Sequence, residues 1–358
     1  MARNFEKFYQ LTGTDKAERP RPSRLESLGW KPFFAQQISM EELNDTPPVR
    51  VTEIHRNGLH AVGQEIDTLV PPNAEVTVGD WLLYDQDNPG SSRILNRKSL
   101  IKRRAPGSDR QVQLIAANID TAFITTSCNK DFNIARLERY VALAFEAEVD
   151  PVIIITKPDL CEDSSRYRVE AESISDRVPV IVLDARGSDV EAQLSDWCGP
   201  GQTVAFLGSS GVGKSTLVNS LSGTQTSATQ EIREDDSKGR HTTTRRQLHI
   251  LPMGCAVLDT PGMRELQLTD AQSGLADVFS DLWTLSTQCR FNDCQHETKP
   301  GCAVLKALDK GSIDQARLKH WKKLVAEEQY NTASLAERRS SDKAFGKMVR
   351  RIQKDNRK

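Results

Sequence analysis

At 358 residues the chain is long enough for two or three domains, and its 37% apolar and 27% charged content is that of a globular protein. A net charge of −1 rules out nucleic-acid binding through bulk charge, so any such contact needs a local patch. No run is long and apolar enough to span a membrane, Met1-Ala2-Arg3-Asn4-Phe5 opens no signal peptide, and the seven cysteines suit a reducing compartment, so a cytoplasmic protein without membrane contact is expected.

Residues 1–45 form a polar N-terminal extension carrying Pro20 and Pro22, with one short packed piece over 25–34 around Trp30. Residues 46–107 show short β-strands. Positions 49–54 alternate, Asn57-Gly58 is a hairpin signal, and 76–84 holds a further strand pair around a turn. About five strands in this length predict a small barrel, with the OB-fold the commonest candidate and RNA a common ligand of such barrels. Arg93, Arg97, Lys98, Lys102, Arg103 and Arg104 make its end basic, which is either an RNA-facing patch or a solvated face. Residues 108–275 change to α/β character. Strands are expected at 119–125, 151–155, 178–183, 203–207 and 255–258, with a helix over 134–148 between the first two. Alternating strands and helices predict a parallel, doubly wound sheet.

The stretch Gly208, Ser209, Ser210, Gly211, Val212, Gly213, Lys214, Ser215 and Thr216 fits G-x-x-x-x-G-K-[ST], a phosphate-binding loop, between an expected strand and an expected helix. Its glycines let backbone N–H groups turn toward phosphate oxygens, and the helix N-terminus adds its dipole. Lys214 is placed to reach the β- and γ-phosphates, and the Ser215 hydroxyl to ligate Mg²⁺. Downstream, Asp259-Thr260-Pro261-Gly262 fits D-x-x-G, where Asp259 holds Mg²⁺ through water and the Gly262 N–H meets the γ-phosphate. Thr156, Lys157, Pro158 and Asp159 resemble N-K-x-D with Thr in place of Asn. A carboxylate there accepts from N1–H and N2–H₂ of guanine, a donor pair that adenine lacks, which selects GTP and GDP over ATP and argues against a kinase or ATPase. Ala185, after Asp184, stands where its N–H would meet guanine O6.

The base-reading motifs precede the phosphate loop, the reverse of the ordinary order, so the GTPase unit is expected to be circularly permuted. Between the loop and D-x-x-G, Thr243 is the expected second magnesium ligand and γ-phosphate sensor. Met263 follows Gly262, and a thioether cannot orient the attacking water. His241 is the candidate for that role, so His241, Lys214 and Thr243 form the expected catalytic set.

Cys289, Cys294, His296 and Cys302 lie within fourteen residues and match a closed structural zinc site, one ion per chain. They open a C-terminal segment, 276–358, with a helix expected from 313 to 330 and a basic tail from 338 onward suited to RNA phosphates.

The motifs T-K-P-D, G-S-S-G-V-G-K-S-T, G-R-H-T-T-T, D-T-P-G and C-x4-C-x-H-x5-C, in this order after a small barrel, resemble the ribosome small subunit-dependent GTPase A (RsgA) family over residues 46–358. The resemblance implies three parts: an N-terminal OB-fold β-barrel, a circularly permuted α/β P-loop GTPase domain, and a C-terminal zinc-binding α-helical domain. It also implies GTP hydrolysis with magnesium, stimulated by the small ribosomal subunit and its rRNA during late maturation. A monomer is expected. The competing reading is an RNA-binding module gated by nucleotide, with negligible turnover. Two departures from the family stand out: Thr156 in place of Asn, expected to weaken guanine binding, and a short 62–78 segment without a basic Cys-x-x-x-Gly stretch.

Overall fold

A computed structural model describes residues 23–55, 57–104, 112–223, 246–259, 270–298 and 300–332. Three short helices lead in: α1 (Arg24–Ser27), α2 (Pro32–Ala35) and α3 (Met40–Asp45). Ser23 and Ser39 each cap a helix reciprocally with a glutamate three residues on, Glu26 and Glu42, so even four- and six-residue helices satisfy their first N–H groups. Trp30 meets Trp81 edge-on at 4.7 Å, and Phe34 and Trp81 are fully buried between the helices and the strands that follow.

Those strands are β1 (Pro48–His55), β2 (Gly58–Gly63), β3 (Asp67–Val70), β4 (Trp81–Leu83) and β5 (Arg93–Ile94). All pair antiparallel, in the order β3-β2-β1-β4-β5. Val49, Val51, Leu59, Ala61 and Leu82 fill one face, as the alternating pattern demands. Next, β6 (Leu100–Arg104) and β7 (Val112–Ala117) pair with each other across the point where the sequence changes character.

The remaining sheet comprises β8 (Thr121–Ser127), β9 (Asp150–Thr156), β10 (Val180–Val182), β11 (Thr203–Leu207), β12 (Arg246–Ile250) and β13 (Ala256–Asp259). Its order is β10-β9-β8-β11-β13-β12, parallel except for the last strand. The phosphate-loop strand β11 is therefore central. Strands earlier in the chain lie on one side of it and later strands on the other, which is how a permuted chain builds the sheet. The Val152-Ile153-Ile154-Ile155 run of β9 is wholly buried, as for a strand covered on both faces. Helices α4 (Ile134–Glu146), α5 (Ser165–Glu172), α6 (Val190–Leu194) and α7 (Lys214–Leu221) connect these strands.

Two joints tie the β-rich unit to this sheet, and neither was expected from the sequence. First, β1 pairs antiparallel with β12, Glu53 opposite Gln247 and Ile54 opposite Arg246, so one hydrogen-bonded ladder runs from β10 to β3. Second, Arg50 is buried and donates to the Leu28 carbonyl, to Thr203 Oγ1 at 2.9 Å, to Asn118 O at 3.1 Å and to Gly79 O at 3.3 Å. Burial lowers its pKa to about 10, against the opposing pull of Asp120 and Asp80, so it remains charged at neutral pH. Asn118 Nδ2 also donates to Gly79 O, so that acceptor keeps a partner without Arg50. The Leu28 and Asn118 carbonyls lose their Arg50 bonds. We expect Arg50→Leu to cost about 3 kcal/mol of stability in denaturant unfolding, the scale for breaking a buried charged network. A loss below about 1 kcal/mol would mean that the joint is held elsewhere.

Four helices close the described chain: α8 (Gln272–Val278), α9 (Ser280–Thr287), α10 (Ala303–Asp309) and α11 (Gln315–Thr332). They pack on α4. Gly274 lies so close that a Cβ would sit 2.0 Å from the Ala142 carbonyl, and Glu146 accepts from Ser273 Oγ and Gly274 N. Arg317 of α11 donates to Val278 O and to Asp281, and Arg139 of α4 pairs with Glu327. Between α4 and α11, burial pushes the Glu138 carboxyl up to about 7, and His320 Nδ1 lies 2.9 Å from it. Among the described residues no helix is long and apolar enough to cross a membrane.

Candidate nucleotide and metal sites

The phosphate loop joins β11 to α7 and needs its glycines. Gly208 has φ +137°, and a Cβ there would stand 2.2 Å from the Thr125 carbonyl. Gly213, at φ +97°, is the N-cap of α7 and turns the chain into the helix. Lys214 Nζ donates to the Gly208 carbonyl at 2.8 Å and the Ser209 carbonyl at 2.5 Å, folding the amine back over the loop's mouth. Ser215 and Thr216 occupy the first turn of α7, where free N–H groups and the helix dipole favour an anion.

The residues expected to read the base lie beside the same loop. Thr156 ends β9 fully buried, and its hydroxyl lies 2.6 Å from the Val212 carbonyl and 3.0 Å from the Thr126 carbonyl. A hydroxyl has one proton, so the shorter contact to Val212 is the stronger claim on it. Lys157, in the left-handed region at φ +57°, reaches across and donates to the Gly211 carbonyl at 2.6 Å. Asp159 follows in a short 3₁₀ turn begun by Pro158 and is half exposed. Ala185 is buried, and Ser220 Oγ of α7 donates to its carbonyl at 2.6 Å. Thr156 and Lys157 thus tie their loop to the phosphate loop, and Ser220 ties the Ala185 loop to α7. Thr156 supplies a tether between the two motifs despite its departure from N-K-x-D. Thr156→Val keeps the shape and removes the tether. We expect it to weaken GTP binding about tenfold, matching roughly 1–1.5 kcal/mol for one buried hydrogen bond, as read by titration calorimetry. Unchanged affinity would make the contact incidental.

Two arginines at the site were not singled out in the sequence. Arg136, near the start of α4, donates to Ser209 Oγ at 2.5 Å and brings a third cation to the phosphate loop, after Lys214 and Lys157. Arg186 lies between Asp159 and Asp184. The signal for it was present: a carboxylate where Ser is usual, with an arginine two positions later. Asp259 ends β13, next to β11, though its side chain lies outside the described residues. His241, Thr243, Gly262, Met263 and the basic tail from 338 also lie outside them.

Away from this site, Cys289 follows α9, Cys302 caps α10, and Cys294 and His296 sit in the intervening turns. Their ligand atoms all lie within 4.8 Å of one another. Cys289 Sγ is 3.8 Å from Cys302 Sγ and 3.6 Å from His296 Nδ1, and His296 Nδ1 is 3.4 Å from Cys302 Sγ. A tetrahedral zinc with ordinary bond lengths requires S···S of about 3.8 Å and S···N of about 3.6 Å. The distances among Cys289, His296 and Cys302 therefore match zinc, and the fourth ligand atom, Cys294 Sγ, lies within 4.8 Å of the others. Burial lowers the His296 pKa, helped by Lys322, and so favours the neutral imidazole that a metal needs. Burial opposes the Cys289 thiolate, but the backbone N–H groups of Ala303 and Val304 outweigh it and hold the thiol below its ordinary value. The Trp321 ring covers His296, their centroids 5.4 Å apart, which connects the cluster to α11.

A phosphate loop on the central strand, with guanine-type motifs supplied by strands that precede it in the chain, defines a circularly permuted GTPase fold with a mixed sheet. The family model described as RsgA GTPase matches residues 94–269. The chain is 47% identical over 340 residues to the small ribosomal subunit biogenesis GTPase RsgA 2 of Vibrio parahaemolyticus, covering 93% of this chain and 94% of that protein. It is 45% identical over 335 residues to the small ribosomal subunit biogenesis GTPase RsgA of Mesorhizobium japonicum, covering 91% and 96%. Among solved structures, YjeQ from Thermotoga maritima superposes with a TM-score of 0.56 at 26% identity, over 78% of this chain and 97% of that one. YloQ, described as a circularly permuted GTPase, gives 0.53 at 23% identity over 83% and 100%, a likeness of fold alone. The chain belongs to the RsgA family of GTPases, enzymes that hydrolyse GTP.

Proposed function

We propose that this GTPase acts in the late maturation of the small ribosomal subunit, binding the subunit and its rRNA and hydrolysing GTP faster when bound. The observation that carries this is the 47% identity, over 93% of the chain, to a protein named for small ribosomal subunit biogenesis. In this reading residues 46–107 are an OB-fold barrel that touches rRNA, 108–275 the GTPase domain, and 276–358 a zinc-bearing helical domain with a basic tail. Residues 1–45 form the N-terminal extension. The antiparallel order β3-β2-β1-β4-β5 supports the barrel assignment.

Residues 208–216 hold the phosphates, Lys214 neutralises the β- and γ-oxygens, and Ser215 and Thr243 ligate Mg²⁺, with Asp259 behind it. The Gly262 N–H senses the γ-phosphate. Thr156, Lys157, Pro158, Asp159 and Ala185 form the guanine pocket. Held by these residues, magnesium would supply positive charge to offset that of the phosphates. Zinc, held by Cys289, Cys294, His296 and Cys302, is structural, since four protein ligands leave no open position. The protein works as a cytoplasmic monomer.

Water activation falls to His241, because Met263 cannot orient it. Docking on the subunit brings His241 to the water and supplies geometry rather than new chemistry. The test is GTP turnover with and without purified small subunits, for the wild type and for His241→Ala. Slow turnover alone and a large rise with subunits support the reading. The variant should bind GTP and subunit but lose most of the rise. No stimulation of the wild type would overturn the subunit assignment, whereas full stimulation of the variant would overturn only the role of His241.

A further inference from the structure

Guanine presents to a carboxylate the N1–H and N2–H₂ groups on either side of C2, a nitrogen–carbon–nitrogen donor edge. The guanidinium of an arginine presents the same kind of edge, with a positive charge added. In this structure such a group is already at the base-reading carboxylate. Arg186 Nη2 lies 3.2 Å from Asp159 Oδ2. The same side chain is held on its other flank by Asp184. Nε is 3.2 Å from Asp184 Oδ1 and Nη2 is 3.4 Å from Oδ2, while the Arg186 backbone N–H donates to Oδ1 at 3.0 Å. Asp184 stands where a serine is usual, and Arg186 gives its carboxylate a partner.

We propose that Arg186 sets the affinity of the base site by competing with guanine for Asp159, and that Asp184 is the position to which Arg186 retires when guanine binds. The inference rests on the reading of Asp159 as the guanine-binding carboxylate. Because Asp184 already holds Nε and the backbone N–H, release from Asp159 costs one contact and leaves the charge paired. All three side chains are substantially exposed, 67% for Arg186, 48% for Asp159 and 41% for Asp184. Exposed pairs of this kind change an equilibrium constant by up to about fivefold. The competition is therefore weak enough for guanine to win and strong enough to slow its entry.

The sign of the effect is the discriminating feature. Removing a cation beside an entering polyanion ordinarily slows association through lost steering. Removing a competitor accelerates it. The experiment is stopped-flow binding of fluorescent GTP and GDP analogues to the full-length chain. Arg186→Ala is expected to bind both about two- to fivefold tighter, with the gain in the association rate and the dissociation rate unchanged. Asp184→Asn removes the retreat and is expected to weaken binding by a similar factor. The double variant should behave like Arg186→Ala. In an Asp159→Asn background, Arg186→Ala should change nothing.

Association that slows or stays the same in Arg186→Ala, while Asp159→Asn still loses GTP, would overturn the competition and leave the base reading standing. An Asp159→Asn variant with undiminished GTP affinity would overturn the base reading itself. Tighter binding on losing Arg186 is also not something a damaged loop produces, so misfolding cannot imitate the expected result.

Discussion

Cys294→Ser is expected to lose the zinc proposed for this cluster and to unfold the segment between α9 and α11. Cys289, Cys294 and His296 lie in turns and Cys302 at the cap of α10, and the metal would add folding energy to this segment beyond the burial of Cys302, Val304 and Ala307. Structural zinc sites bind with apparent free energies on the order of 10 kcal/mol at neutral pH, far more than any other single contact in this region. The damage should reach α11, because Trp321 packs on His296. It should stop short of the nucleotide site, because α4 has its own sheet to pack against. Metal analysis together with limited proteolysis checks this. A metal-free wild-type protein that resists cleavage between α9 and α11 would remove zinc from the account. A chelator should reproduce the variant, and acidification should favour release, since the ligands bind metal only when deprotonated.

The second large effect is on base recognition. Asp159→Asn replaces a charge-assisted pair of hydrogen bonds with an amide that mismatches guanine. GTP affinity should fall by about 2–3 kcal/mol, roughly 30- to 150-fold. Loss of the competition from Arg186 offsets only a small part of this. Xanthine carries an oxygen at C2 where guanine carries an amine, so the asparagine amide can donate to it. The same variant should therefore gain affinity for XTP. Calorimetric titration with both nucleotides is the measurement, and a variant that still prefers GTP at wild-type affinity would show that Asp159 does not face the base.

What could be read from the chain divides by how local the encoding is. The phosphate loop was legible because glycine spacing dictates backbone shape within nine residues, with a strand before and a helix after. The cysteine–histidine cluster was legible for the same reason. The permutation followed from motif order alone. The alternation Val49-Arg50-Val51 said that Arg50 faces away from the barrel core, but alternation names a face and not what covers it. Arg50 is covered by α1 and β11, from distant parts of the chain, and became the buried joint. The pairing of β1 with β12 joins residues about 190 positions apart, and strand pairing at that distance leaves no local pattern. Thr156 was read as a defect because a motif template scores identity. The structure shows its hydroxyl bonded to the carbonyl of Val212. The packed helices α1 to α3 carried S-x-x-E signals at Ser23 and Ser39, which a reading centred on Trp30 passed over.

The ladder between β1 and β12 has a practical consequence for anyone dividing this protein. The outermost strand of an open sheet exposes a row of unsatisfied amides, and proteins protect such borders from sticking to one another. Here the border of the nucleotide-binding sheet is covered at Arg246 and Gln247 by the neighbouring unit. Cutting the chain ahead of β7 to isolate the catalytic half would bare that end of β12 to any other extended chain in solution. The halves are better regarded as a single cooperative body, and the fragment should self-associate through that border unless a strand is grafted in place of β1.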